Sequence, residues 1–446
     1  MANLSLAAAA LTLAACSVTV PSQPFHPPVP GPSASEAPSA FDNKSNGVVD
    51  DSTHEADQTT FDEVEEIGDG LGPLYNAQSC RECHQNPTSG GPSQITELRV
   101  GHLGPEGQFR NADIPIARGQ VVISGRTHVN DRAICPNAEF PDSEIQERVP
   151  DTETIRTTRL ALNLLGDGLV ETVADETLIG LAREQRRATR GRIHGQALRV
   201  PIVEAPGQSG VGRFGWKDQH ASLLSFAGDA YLNEMGITSR LFPTEVTDLC
   251  NTAGEPNSTP DSTGLEDIDR FARFMRASKA PARDRELAAT QKAVRGSALF
   301  DSIGCALCHV ATLTTAPAGT VINGGTFTIP PALGDKVFHP FGDFLLHDVG
   351  TGDGIAIAMS EHYGRRVYEI LWKEFVLDSV ARGRNKIRTA PLWGVRLRPR
   401  LMHDAASRTF RDAILRHGGE AHAEARRFRQ LPPSEQDAII EFLKSL

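Results

Sequence analysis

Several things are scarce in this chain, and each scarcity excludes something. Positive charge is not in surplus: 45 Lys and Arg against 56 Asp and Glu leave a net charge of −11. That balance disfavours nucleic acid and anionic membrane surfaces as partners, because clustered Lys and Arg hold both. Long apolar runs are missing as well. The run from Leu6 to Cys16 is too short to span a bilayer, and no later segment approaches the length and hydrophobicity required. Cysteine is sparse, with seven in 446 residues. Hydrophobic content of 39% and charged content of 23% are ordinary for a soluble globular protein. The length allows two or three domains with real cores.

Four of the seven cysteines fall into two copies of one pentapeptide. These are Cys80-Arg81-Glu82-Cys83-His84 and Cys305-Ala306-Leu307-Cys308-His309. Cys-x-x-Cys-His is the attachment signature of c-type haem. Each cysteine adds across a haem vinyl group, and the histidine is left to bind iron from the proximal side. A zinc knuckle or a redox Cys-x-x-Cys pair would not require the histidine at the same place in both copies. Two covalent haems are therefore expected, attached at Cys80, Cys83, Cys305 and Cys308, with His84 and His309 as proximal ligands. Cys135 and Cys250 remain in polar loops, where an oxidising compartment favours a disulfide between them; the alternative is two unpaired loop thiols.

The apolar run ends in Leu13-Ala14-Ala15-Cys16, which resembles a bacterial lipoprotein cleavage site. Residues 1–16 read as a signal peptide with Cys16 as the lipidated residue, although Met1 to Ser5 lacks the usual positive charge. The expected location is periplasmic or anchored to the outer membrane of a Gram-negative bacterium, touching membrane only through that lipid. Residues 17–59 are rich in Pro, Ser, Asp and Asn and read as a disordered tether. The rest divides at Lys279 to Asp284, where Pro281 interrupts any helix. The expected fold is mainly α: a first haem c domain over 60–283, enlarged by a loop-rich insertion near 85–265, and a second cytochrome c domain over 284–446. Amphipathic helices close both halves, one through Ile268, Phe271, Phe274 and Met275, the other through Ile439, Phe442, Leu443 and Leu446. Ser434 with Asp437 looks like the cap of the last helix. Ala293 to Phe300 reads as a helix with Gly296 at a close-packing position.

Longer motifs carry a resemblance. They include Leu165-Gly166-Asp167-Gly168-Leu169-Val170-Glu171, Gly212-Arg213-Phe214-Gly215-Trp216-Lys217 and Met235-Gly236-Ile237-Thr238 in the first half. The second half adds Asp343 to Gly350, Arg388 to Val395, Met402-His403-Asp404 and Ala413 to Ala421. Over nearly all of 60–446 the chain resembles the bacterial di-haem oxidoreductases, often labelled thiol oxidoreductases or peroxidases. That family is distantly related to di-haem cytochrome c peroxidases and to di-haem enzymes that oxidise tryptophan in partner proteins. One departure is Ala405-Ala406, where the family pattern has Gly after His-Asp.

The resemblance also guides the distal ligands. In the distant peroxidases a distal Met lies one helix beyond His-Asp-Gly, and the same distance from His403 reaches His417. A bis-His second haem is implied, with Met402 as the rival ligand and His403 beside the haem. For the first haem His102, His128 and His220 are the candidates, and His102 has the peroxidase-like separation from His84. Glu171 is a candidate general acid and base for peroxide cleavage, and His403 is grouped with it as a site residue. Trp216 and Trp393 are read as core or as aromatic bridges between the haems, and His347 with Asp348 as part of the second pocket. No ligand cluster for the calcium ion of the related peroxidases stands out. The leading expectation is an exported oxidoreductase that takes electrons at the second haem and performs peroxidase-like chemistry at the first. Its partners would be a small redox protein or other electron donor and peroxide or another small substrate. The alternative is a non-enzymatic electron-transfer cytochrome with both irons bis-ligated. Thiol oxidation is poorly served, because no further Cys-x-x-Cys pair exists to relay electrons.

Overall fold

The structure, a computed structural model, describes residues 34–251, 259–356 and 383–446. The proposed leader, Cys16 and the first part of the tether lie outside the described residues. Among those described, no helix is long and apolar enough to cross a membrane.

Helices surround both Cys-x-x-Cys-His segments. Helix α1 (Asp51–Asp62) begins where the Asp50 carboxylate accepts the Thr53 N–H, a standard N-cap. Helix α2 (Cys80–Cys83) is a single turn capped by Ser79. Helix α3 (Asp167–Glu171) is short and wholly buried. Helix α4 (Leu223–Met235) ends at Gly236, whose φ of 72° is the left-handed conformation glycine adopts freely. Helix α5 (Asp267–Ala277) buries Ile268, Phe271, Phe274 and Met275, as its periodicity predicts. Phe61 of α1 meets Phe274 at 4.7 Å between ring centres, and Tyr231 of α4 meets Phe271 edge-on at 5.1 Å. These aromatic contacts lock α1, α4 and α5 around the first motif.

The second motif follows α6 (Gln291–Ile303), which crosses the C-terminal helix α9 (Pro433–Lys444). Gly296 allows the crossing: a Cβ there would lie 1.9 Å from the Ala438 carbonyl oxygen. The short α7 (Phe410–Leu415) and α8 (His422–Gln430) complete the cluster, with Leu299, Phe300, Phe428, Ile439 and Phe442 at its centre. The expected Ser434 cap is not the one used. Helix α9 starts one residue earlier with Pro433 in its first turn and Pro432 at the cap position, where a missing N–H costs nothing.

Two expectations are corrected here. The fold is mixed rather than mainly α, because the insertion contains a five-stranded antiparallel sheet. Strand β1 (Thr96–Leu103) pairs with β2 (Phe109–Ile116), with β4 (His128–Val129) and with β5 (Ile155–Leu160), and β3 (Val121–Arg126) pairs with β2. Val100, Ile114, Ile123 and Val129 form its own small core. The second correction concerns the tether. From Ser35 onward it is folded: Ser35–Glu36 pairs with Lys336–Val337, Ser39 bridges to Ala280, and α1 follows. Polar composition misleads here because the segment uses backbone pairing and Asn46 side-chain bonds to Arg276 and Ser278 in place of apolar burial. Cys135 and Cys250 form the expected disulfide.

Candidate functional site

Two cavities open beside the two motifs, and their linings differ. The second encloses about 1250 Å³ and is lined by Cys305, Cys308, His309, Met402, His403 and His417 among mainly apolar neighbours. His309 places its Nδ1 3.0 Å from the Phe341 carbonyl, and His417 its Nδ1 2.8 Å from the Ala413 carbonyl. A carbonyl only accepts, so each Nδ1 carries the proton and each Nε2 keeps a free lone pair. The two rings stand 6.5 Å apart, centre to centre. One metal ion shared by two imidazoles, with bonds of about 2 Å and about 1 Å more to each ring centre, needs about 6 Å. Burial pushes His309 down to about 4 and lowers His417 too, so both rings are neutral at pH 7 and able to coordinate. The residues fit a haem held between His309 and His417. Met402 lines the same cavity with a left-handed φ of 67°. Ala405 also sits in that conformation at φ 56°, so the turn keeps the backbone that glycine serves in the family pattern and places alanine there with some strain.

The first cavity is larger, about 3090 Å³ and open to solvent, and polar. His84 holds its Nδ1 2.7 Å from the Leu162 carbonyl, and burial pushes its pKa down to about 4. Its free Nε2 repeats the arrangement at His309. An apolar pocket lined by Phe61, Cys80, Tyr231, Met235 and Met275 adjoins it. Among the described residues, the larger cavity has no second histidine and no methionine in its lining. Its walls carry Glu97, Arg99, Arg159, Gln219 and Glu234 instead.

His102 is therefore not placed as a ligand. It lies on β1 with Leu98 and Val100, on the face opposite Glu97 and Arg99, and its Nδ1 pairs with Glu153 at 2.9 Å. One residue of strand register decides this, and spacing from His84 does not report it. His220 is buried against Phe226 and pairs with Asp229 at 3.2 Å. His128 lies just behind the cavity wall, paired in register with Arg99. Glu171 is corrected too. Arg276 clamps its carboxylate with bonds of 2.7 and 2.9 Å, and the Leu223 N–H and the Asn323 amide also donate to it. Held by these four bonds and absent from the linings of both cavities, Glu171 ties α3 to α4 and α5. His403, expected beside the second haem, lines the second cavity, buried with its ring 6.1 Å from Trp216.

Trp216 lines both cavities, so its indole is part of the wall between them, fixed by an N–H bond of 2.7 Å to the Leu160 carbonyl. Trp393 packs on Phe338 in the main core. His347 lies buried between Asp343 and Glu420, at 2.9 Å from each, beside Cys308. Asp348 turns away from the cavity lining and caps Gly350 through its carboxylate.

The residues that motif reading missed are Glu97, Arg99, Arg159 and Glu234. Arg99 grips Glu97 with two bonds of 2.8 Å. Burial opposes the Glu97 charge, but the Arg99 guanidinium outweighs it and holds the carboxyl well below the usual range. Burial and then the Glu97 charge drive Glu234 the other way, well above it. The pair holds one proton between two carboxylates. Glu97 and Arg99 fall in what reads as a loop-rich insertion, and nothing in the sequence pointed to Glu234.

Two cavities, each beside a Cys-x-x-Cys-His segment whose histidine keeps Nε2 free, suit a di-haem protein. A family model described as "Di-haem oxidoreductase, putative peroxidase" matches residues 137–446, and the chain belongs to that family; the first motif lies ahead of the matched span. Among solved structures, hydrazine synthase of Kuenenia stuttgartiensis is similar at 14% identity over 98% of this chain and 100% of that one, TM-score 0.35. A MauG-like protein associated with microbial copper homeostasis is similar at 13% over 92% and 93%, TM-score 0.38. The diheme peroxidase BthA of Burkholderia thailandensis is similar at 14% over 94% and 95%, TM-score 0.37. No curated protein matches the chain.

Proposed function

We propose that this chain is an exported c-type di-haem oxidoreductase with peroxidase-like chemistry at the first haem. One observation carries the reading: His417 faces His309 across the second cavity, while among the described residues no second histidine lines the cavity beside His84. Cys80 and Cys83 hold one haem through thioethers, and Cys305 and Cys308 hold the other. His84 and His309 are the proximal ligands, and His417 completes the second. When bound, each haem would supply a one-electron couple, and the first cavity would give a small substrate such as peroxide access to it.

The chain's own groups do the rest. Reducing peroxide to two waters takes two electrons and two protons. Ionised Glu97 would take a proton from the incoming peroxide, and protonated Glu234 would give one to the departing oxygen, which leaves as water; Glu97 then returns its proton to the remaining oxygen, and solvent supplies two protons, one to that oxygen and one to restore Glu234. Arg99 and Arg159 line the same wall, each paired with a carboxylate, and Trp216 offers a short aromatic route between the cavities. A small redox protein or similar donor reduces the second haem, and the Cys16 lipid tethers the body outside the cytoplasm. Glu97→Gln should lower peroxide turnover about 100-fold or more while haem content and resting spectrum stay unchanged. Full turnover in that variant would sink the acid–base assignment.

A further inference from the structure

We infer that Glu97, His128 and Glu234 form a binding site for one divalent transition-metal ion in the wall of the first cavity. Three separate elements converge here: β1 brings Glu97, β4 brings His128 and the last turn of α4 brings Glu234. One ligand atom from each lies within 4.8 Å of the others. That spacing allows all three to reach a common ion.

The histidine supplies the independent observation. His128 is 1% exposed, and its buried Nδ1 has no hydrogen-bond partner. The nearest group to it in the cluster is Glu97 Oε2, at 3.8 Å, too far for a hydrogen bond. A buried, unsatisfied ring nitrogen is costly, and it points at a carboxylate. Its other nitrogen is held: Nε2 lies 2.5 Å from the Asn76 amide and 3.4 Å from Glu234 Oε2. Asn76 also donates to Glu234 at 3.0 Å, and Arg99 fixes Glu97. Metal sites use such outer partners to orient their ligands.

Charge favours a cation as well. Glu97 and Glu234 bring two carboxylates to the cluster, and Arg99 is bonded to Glu97 alone of the two. The donor set selects the ion: one imidazole with two carboxylates suits zinc, manganese or ferrous iron, whereas calcium prefers six to eight oxygens. Glu97 keeps 19% and Glu234 28% of its side-chain surface, and both line the first cavity. The ion would thus have three protein ligands and an open side toward the chamber, the arrangement of reactive rather than purely structural sites.

The test uses tag-free holoprotein stripped with a chelator and titrated calorimetrically with Zn²⁺ and with Mn²⁺. Elemental analysis after dialysis gives the bound metal beyond haem iron. The expected result is one saturable equivalent, with affinity reduced tenfold or more in both His128→Gln and Glu234→Gln while the haem spectra are unchanged. No saturable binding to the wild-type protein would overturn the site, and so would wild-type affinity in both variants. Peroxide turnover is not the readout, so this result stands or falls separately from the peroxidase reading.

Discussion

At the scale of single residues, one hydrogen bond distinguishes the coordinating histidines from the others. His84, His309 and His417 each give Nδ1–H to a backbone carbonyl, at 2.7, 3.0 and 2.8 Å, and keep Nε2 free. His102 pairs with Glu153 and His220 with Asp229. The Cys-x-x-Cys-His spacing singles out His84 and His309 and a family distance singles out His417, and the structure sets each of the three beside a cavity. His102 and Glu171 were not legible. A strand's facing and an arginine arriving from α5 decide them, and both are long-range facts. His417→Ala should convert the second haem from low-spin to high-spin in optical and EPR spectra, leaving the first unchanged and both haems attached. An unaltered second-haem spectrum would remove His417 from the ligand set.

At the scale of elements, helix periodicity was the reliable signal. The buried residues of α5 and α9 are those their spacing picks out, and Gly296 marks the crossing of α6 over α9. Gly296→Val would drive side-chain atoms into the Ala438 carbonyl and the Phe442 side chain. The expected loss is about 1–3 kcal/mol, seen as a lower denaturation midpoint of the holoprotein; wild-type stability would mean the helices separate without cost. The sheet was harder to see. Its strands are short, and β1 interleaves charged Glu97 and Arg99 with only two core residues, Leu98 and Val100, so a functional face looked like a polar loop. The charges that hid the strand are the ones that line the first cavity.

At the scale of the whole molecule, the two halves of the chain share a main core, while the helices around the second motif keep a cluster of their own. Phe61, Tyr231 and Phe274 belong to the same buried cluster as Phe338, Phe344 and Trp393, and the strap from Ser35 to Ser45 stitches across it. That integration buries charge. Burial, reinforced by the Glu171 carboxylate, lifts Asp167 to about 8 despite the Arg388 charge. The folded chain then keeps this proton to higher pH than the unfolded chain, which releases it near 3.8. Folding binds the extra proton, so the Asp167 contribution to stability falls as pH rises from about 4 through 8. Asp167→Asn should flatten that part of the slope in thermal melts of the holoprotein between pH 5 and 8; an unchanged slope would refute the assignment.

The central claim is that two haem sites in one body differ in what they leave open. An optical and EPR redox titration of the holoprotein, with hydrogen peroxide added at each reduction level, tests it most directly. The account predicts one low-spin bis-histidine haem and one open haem that reacts with peroxide once its partner is reduced. Two low-spin haems, inert to peroxide at every potential, would contradict it and leave an electron-transfer cytochrome.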